Sequence, residues 1–109
     1  MGDPSPLGEF EQLVLLGVLH GGDEAYGVPV WREIQRRTGR GASLAAVYKT
    51  LDRLETKALV RSHLGDPTAA RGGRARRMYR TTPAGLLALR TAVRALARMT
   101  EGLDEVLGT

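Results

Sequence analysis

The residues with the clearest chemical signature are the arginines of RGGRARRMYR, residues 71–80, a segment that holds five arginines and two glycines. A guanidinium binds a phosphate through two parallel hydrogen bonds and also fits a narrow minor groove. Such contacts supply affinity and do not by themselves read a base sequence. The segment therefore predicts a surface for nucleic acid. The alternative is an unfolded arginine–glycine tract that binds RNA.

The positive charge of the chain is concentrated in its middle. The net charge is +4, but residues 1–25 contain five acids and no Lys or Arg, whereas residues 26–81 contain thirteen Lys or Arg against four acids. The remaining residues are balanced, with three of each sign. A basic region of this kind attracts nucleic acid first and an anionic membrane second.

Composition argues against several other classes of protein. The 109 residues include no cysteine, which excludes disulfides, thiolate metal sites and cysteine nucleophiles. With only two histidines and no nucleophile–base pair or phosphate loop, we expect neither a metal, a cofactor nor an enzyme. The longest apolar run, residues 13–19, is far shorter than the roughly 20 residues that cross a bilayer. A cytoplasmic protein of one domain, without a membrane segment, is expected.

Three helices are predicted before residue 60. The first covers residues 7–20 and is nearly all apolar from Leu13 onward. The second begins near Gly27 or Val28, because Pro29 is tolerated only in the first turn, and ends near Gly39. Trp31 is expected to be a core residue of this second helix. The third follows Ser43 as N-cap. Its buried face is expected to hold Leu44, Val47, Leu51, Leu54 and Ala58.

A hairpin and a long helix complete the predicted order. Alternation over residues 60–64 indicates a strand whose partner is residues 78–81, and the glycine-rich segment between them forms the tip. Thr82 and Pro83 predict a helix start, and this helix is expected to run to about Leu107, roughly 37 Å. Its apolar stripe is too long for so small a domain and predicts a homodimer. The expected dimer interface comprises Leu13, Leu16, Leu86, Leu89, Val93, Leu96, Met99, Leu103, Val106 and Leu107.

The order helix, helix, helix, strand, basic tip, strand, helix is that of a winged helix-turn-helix. The segments AYGVPVWREI, SLAAVYKTLDRLETKALV and GGRARRMYRTTPAG resemble, in that order, the signature segments of the PadR family of bacterial transcriptional regulators. The resemblance covers about residues 7–90. It implies a winged-helix fold, promoter DNA as partner and, for some relatives, a small hydrophobic or phenolic effector.

Carried onto this sequence, the resemblance implies that Tyr48 lies on the recognition helix near the DNA backbone. It implies that Tyr79 anchors the second strand, and that Thr82 and Gly85 open the dimerisation helix. Three positions depart from the family pattern, namely Lys49, Ala58 and Thr81. Because alanine disfavours positive φ, Ala58 leaves undetermined the residue at which the recognition helix ends.

The sequence thus predicts a mainly α fold with a small β-hairpin, in which residues 1–82 bind DNA and residues 83–109 dimerise. The expected function is that of a sequence-specific regulator, a homodimeric repressor released by an effector. The alternative is a winged-helix module that binds another protein without sequence-specific DNA binding. The expected DNA-binding residues are Ser43, Ala45, Tyr48, Lys49, Arg53, Arg71, Gly73, Arg74, Arg76 and Arg77.

Overall fold

The computed structural model describes residues 6–66 and 75–108. It confirms the predicted class, since the described chain is mostly helical with one antiparallel hairpin. In chain order the elements are α1 (Glu9–Gly21), a 3₁₀ turn (Gly22–Glu24), α2 (Gly27–Thr38), α3 (Leu44–Thr56), β1 (Val60–Leu64), β2 (Arg77–Thr81), α4 (Pro83–Thr100) and α5 (Asp104–Leu107).

A single core lies between α1, α2 and α3, and is closed by the hairpin and the first half of α4. Trp31 packs against this core as predicted, and its indole N–H donates to the carbonyl of Ala42 at 2.8 Å. The turn between α2 and α3 is thereby tied to the core. The buried apolar side chains are Val14, Leu15, Val18, Ala25, Val30, Ile34, Val47, Leu51, Leu54, Val60, Tyr79 and Leu89.

The predicted boundaries of α2 and α3 follow from local capping. Gly39 ends α2 in the left-handed conformation, with φ of 68°, and its N–H donates to the carbonyl of Gln35 at 2.9 Å. Ser43 caps α3, because its hydroxyl accepts from the N–H of Ala46 at 3.0 Å. The two helices are therefore joined by a short turn, as a helix-turn-helix requires.

The end of α3 differs from the prediction at Ala58. This residue is exposed and lies beyond the helix, not on its buried face, and its φ is 62°. Two hydrogen bonds from Thr82 hold the strained position: its hydroxyl donates to the Ala58 carbonyl at 2.8 Å, and its N–H donates to the Leu59 carbonyl at 3.0 Å. Contacts from α4 therefore stabilise a turn that alanine disfavours on its own.

The junction of α4 with the rest of the domain depends on Gly85. A Cβ at this position would overlap the carbonyl oxygen of Leu59, so only glycine allows α4 to lie this close to the start of β1. The hydroxyl of Thr82 also accepts from the N–H of Gly85 at 3.0 Å, which caps α4 as the resemblance implies. The first turn of α4 is consequently fixed to the end of α3.

The long C-terminal helix is shorter than predicted. α4 ends at Thr100, Gly102 takes a φ of 84°, and a separate short helix, α5, follows. The heptad pattern of apolar residues continues across this break. The pattern could not predict the break, because it carries no information on the backbone angle of Gly102. Leu89 also departs from the prediction, since it is 3% exposed in the core of its own protomer and offers nothing to a second copy.

An ion pair between a buried carboxylate and an exposed lysine links α1 to the end of α3. Glu11 is buried, and its carboxylate accepts from Lys57 Nζ at 2.9 Å and from the N–H of Gly8 at 2.8 Å. Burial on its own would raise the pKa of Glu11, but the hydrogen bonds from Lys57 and Gly8 outweigh it and lower the pKa below its usual value. The folded protein therefore holds Glu11 as a carboxylate.

Removing the ammonium group with Lys57→Met should lower the free energy of unfolding by about 2 kcal/mol near pH 7, because a buried carboxylate loses its partner. A carboxyl whose pKa is depressed on folding contributes stability above its unfolded pKa and loses it as the pH falls through the folded pKa. The difference from wild type should therefore shrink as the pH falls below the usual pKa of a glutamate. Urea unfolding measures it, and Lys49→Met, on the exposed face of α3, is the control. A deficit that stays constant with pH would contradict this account.

Candidate nucleic-acid interface

The outward face of α3 carries the predicted recognition residues. Ala45, Lys49 and Arg53 lie at intervals of four residues, and all three are exposed. The opposite face of the helix is buried in the core. One side of α3 therefore presents the cations of Lys49 and Arg53. The small side chain of Ala45, near the start of the helix, allows close approach to another surface.

Tyr48 lies beside this face and is positioned by α2. Its side chain is 39% exposed, and the ring packs directly on Gly27, the first residue of α2. A Cβ at Gly27 would overlap both the ring and the hydroxyl of Tyr48. Within the described part of the chain, the Tyr48 hydroxyl has no hydrogen-bond partner. It is available to donate to an external acceptor.

The wing, which is the hairpin of β1 and β2 with its tip, contacts the residues directly before Gly27. The guanidinium of Arg76 lies over the ring of Tyr26, 4.7 Å from its centroid, and the N–H of Tyr79 donates to the carbonyl of Ala25 at 2.7 Å. Residues 25–27, which we call the bridging segment, thus contact the wing on one side and Tyr48 on the other. This segment sets the position of the wing relative to α3.

A second connection runs from α3 to the wing through Glu55. Its carboxylate accepts from the hydroxyl of Ser62 at 2.6 Å and from the N–H of Ser62 at 3.2 Å. Arg77 Nη1 in turn donates to the Ser62 hydroxyl at 2.8 Å. A guanidinium has five N–H donors, so this bond orients Arg77 and leaves donors for a phosphate.

The described arginines of the wing are therefore oriented by the domain itself. Arg80, which sequence reasoning did not single out, approaches Asp23 at 3.6 Å, and both side chains are largely exposed. An exposed pair of this kind contributes little free energy and yields readily to a stronger anion. Three predicted residues, Arg71, Gly73 and Arg74, lie outside the described residues.

Sequence reasoning missed the bridging segment. Ala25, Tyr26 and Gly27 were assigned no role in the site, although Gly27 and Tyr48 are in contact and Tyr26 carries Arg76. The one signal was the pair Tyr26–Gly27 at a helix start, where a residue without Cβ allows a neighbour to approach closely.

The model of the transcriptional regulator PadR-like family matches residues 15–91. The chain belongs to this PadR-like family. The match runs from the middle of α1 into the first half of α4, so it includes α3, the hairpin and the bridging segment. Membership makes the protein a transcriptional regulator with a DNA-binding winged helix.

Relatives and solved structures agree with this assignment. Transcriptional regulator Rv3488 of Mycobacterium tuberculosis is 39% identical over 103 residues, which cover 92% of this chain and 89% of that protein. A PadR-like regulator of Bacillus cereus has the same fold, with a TM-score of 0.71, 19% identity and 92% of each chain covered. A PadR family regulator of Eggerthella lenta gives a TM-score of 0.68 at 27% identity, covering 92% of this chain and 82% of its own.

The described helices of this PadR-like regulator include none that is both long and apolar enough to span a membrane. PadR regulators bind DNA.

Gly27→Ala should lower the free energy of unfolding by about 1 to 3 kcal/mol, because the new methyl group overlaps the ring of Tyr48. Gly41→Ala is the control, since a Cβ there meets nothing within 4 Å. Combining Gly27→Ala with Tyr48→Ala should cost clearly less than the sum of the two single changes, because the overlap disappears. Urea unfolding of the four variants measures the coupling. Strict additivity would show that the two residues are not in contact.

Proposed function

We propose that the protein is a homodimeric repressor that binds a two-fold promoter operator through α3 and the wing. The observation that carries the proposal is the double connection of the wing to α3, through the bridging segment and through Glu55, Ser62 and Arg77. It holds the cations of α3 and the cations of the wing at a constant separation. A surface that must fit the repeating geometry of duplex DNA needs such rigidity.

In this proposal α3 enters the major groove. Ser43, Ala45 and the neighbouring alanine at 46 keep the start of α3 small, so the helix can approach the bases closely. Lys49 and Arg53 then reach base edges or phosphates, and the Tyr48 hydroxyl donates to the backbone. Arg76 and Arg77, with the predicted wing residues Arg71, Gly73 and Arg74, contact the flanking phosphates. Specificity rests on Lys49 and Arg53 and on DNA shape.

Dimerisation is supported by the surface of α4. Leu96 and Met99 are 63% and 76% exposed, and Leu86 and Val93 are exposed on the same helix. A group of exposed apolar side chains on one helix of a small domain marks an interaction site. A second copy would bury it, so that residues 83–109 would dimerise while residues 1–82 bind DNA. The paired recognition helices would then meet half-sites about 34 Å apart.

Repression would follow from occupation of the promoter by the dimer, in the cytoplasm and on the nucleoid. Release from DNA is assigned to a small hydrophobic or phenolic effector, on the strength of the resemblance to PadR relatives. The apolar side chains of two α4 helices would enclose it. An effector at that place acts on the angle between the helices and therefore on the spacing of the two α3 helices.

Fluorescence anisotropy with duplexes from the protein's own promoter, over a salt series, tests DNA binding. If each protomer neutralises about four phosphates, the log–log salt slope of the dimer should be near −7. Arg76→Ala with Arg77→Ala should weaken binding to every duplex and flatten the slope by about 0.9 for each lost contact. Lys49→Ala with Arg53→Ala should instead reduce the preference over a scrambled duplex.

Arg90→Ala with Arg94→Ala is the matched control, because it also removes two exposed positive charges, here from α4. Unchanged affinity in both double variants would remove α3 and the wing from the interface. Salt-insensitive capture of a protein partner, with no preference among duplexes, would support the protein-binding module instead.

Leu96→Asp should convert the dimer to a monomer, because it places a charge in the middle of the exposed apolar surface of α4. Light scattering coupled to size exclusion gives the mass, and circular dichroism checks that the variant is folded. Leu64→Asp, at the exposed end of β1, is the control. A folded dimer carrying Leu96→Asp would exclude α4 from the interface.

A further inference from the structure

We infer that a cavity at the base of the wing binds a small organic cation with a planar apolar body, and that Arg76 competes with this ligand for the ring of Tyr26. The binding site itself needs neither DNA nor a second copy of the chain. Its effect on DNA affinity rests on the proposed function. Three features carry the inference, namely the cavity, its charge and the position of the Arg76 guanidinium.

The cavity has a volume of about 400 Å³ and lies between the 3₁₀ turn and one face of the hairpin. His63 and Met78, which are paired across the two strands, line it on the face opposite the buried Tyr79. Tyr26 lines it from the start of α2. Sites for small organic ligands usually enclose about 300 to 1,000 Å³. The cavity is therefore large enough for a compact organic molecule.

The charge of the cavity favours a cation. Among its described lining residues, the carboxylates of Asp23, Glu24 and Asp66 stand against the guanidinium of Arg76. Asp23 forms only an exposed pair with Arg80, at 3.6 Å, and the side chain of Glu24 has no ion pair within the described part of the chain. Carboxylates beside a surface for DNA repel the phosphates. Their place in the wing is explained if they attract a cationic ligand.

The guanidinium of Arg76 indicates which chemical group the cavity accepts. It lies over the ring of Tyr26, 4.7 Å from the ring centroid. A cation in this position is attracted by the negative face of the aromatic ring. A ligand with an amidinium or guanidinium group can take the same place on Tyr26, and the side chain of Met78 offers an apolar wall for the rest of the molecule.

Exchange of Arg76 for a ligand requires only a movement of its side chain. The N–H of Gly65 donates to the carbonyl of Arg76 at 2.6 Å, so the backbone of Arg76 is fixed to the end of β1. The side chain is exposed and can turn into solvent by changing rotamer. A bound cation would therefore displace the guanidinium and leave the hairpin intact.

Displacement of Arg76 would lower the affinity for DNA. In the proposed function Arg76 is a phosphate contact, and the ring of Tyr26 holds it in place beside α3. A guanidinium released from the ring must be ordered again on binding a phosphate, which costs conformational entropy. Because linkage is reciprocal, DNA would weaken the binding of the cation by the same factor. The cavity would thus act as a sensor for organic cations within the DNA-binding surface.

Benzamidine tests the site, because it joins a planar cation to an apolar ring, and benzamide is a neutral compound of the same shape. An NMR titration of the isotope-labelled full-length protein without DNA should give saturable shifts at residues 23–26, 63 and 76–78. The dissociation constant should be on the order of 1 mM for so small a ligand. Benzamide should bind about tenfold more weakly, since it lacks the cation. Equal binding of the two compounds, or shifts confined to other residues, would overturn the site.

Two pairs of variants test the roles of the charges. Glu24→Gln should weaken benzamidine binding roughly threefold, the size expected for one exposed charge pair. Glu101→Gln, which removes an exposed carboxylate after α4, is its control. Arg76→Gln should strengthen binding roughly threefold, because no guanidinium has to leave the ring of Tyr26. Its control is Arg61→Gln, exposed on β1. An equal effect within either pair would show that the lining residue has no specific role.

A DNA-binding measurement separates the site from the proposed function. Benzamidine at about ten times its dissociation constant should weaken duplex binding by the wild type, with benzamide and matched salt as controls. The Glu24→Gln protein should be affected less. Equal weakening of both proteins would mean that benzamidine acts on the DNA, and would overturn the coupling. A protein that binds benzamidine in the cavity but prefers no duplex would overturn the repressor and leave the site standing.

Discussion

The contact of Gly27 with Tyr48 is the constraint on which the DNA-binding surface depends. Gly27 has no Cβ and lies against the ring of Tyr48, and the two residues before it contact the wing. Ala25 accepts from β2, and Tyr26 supports Arg76. The wing and α3 therefore share a support of three residues. A side chain at Gly27 would separate the two elements even if each kept its own fold.

A second group of contacts joins α3 and the hairpin to α4. Gly85 lets α4 lie against the carbonyl of Leu59, and Thr82 bonds to both sides of the junction. The ion pair of Glu11 and Lys57 ties α1 to the same end of α3. Three helices thus converge on one turn, which explains how Ala58 is held at a positive φ that its side chain disfavours.

The sequence predicted what local chemistry determines. Ser43, Gly39 and Thr82 cap their helices through local hydrogen bonds, and the helix ends follow from them. The sequence-based prediction failed where the position of a residue depends on contacts with parts of the chain that are distant in sequence. Heptad spacing places Leu89 on the stripe of α4 without showing that this residue enters its own core, and it continues across Gly102 without showing the break. The bridging segment has no periodic signature, because its partners are distant in sequence.

The bonds of Thr82 have a mechanical meaning. Its hydroxyl joins the turn after α3 to the first turn of α4, so the two helices form one rigidly connected arm. In the proposed homodimer the pivot of that arm would be the crossing point of the two copies of α4. A small change of crossing angle, acting over an arm of about 27 Å, becomes a displacement of several ångströms at the far end. In that dimer a modest change of angle between the two α4 helices would become a misfit of the two α3 helices along the duplex.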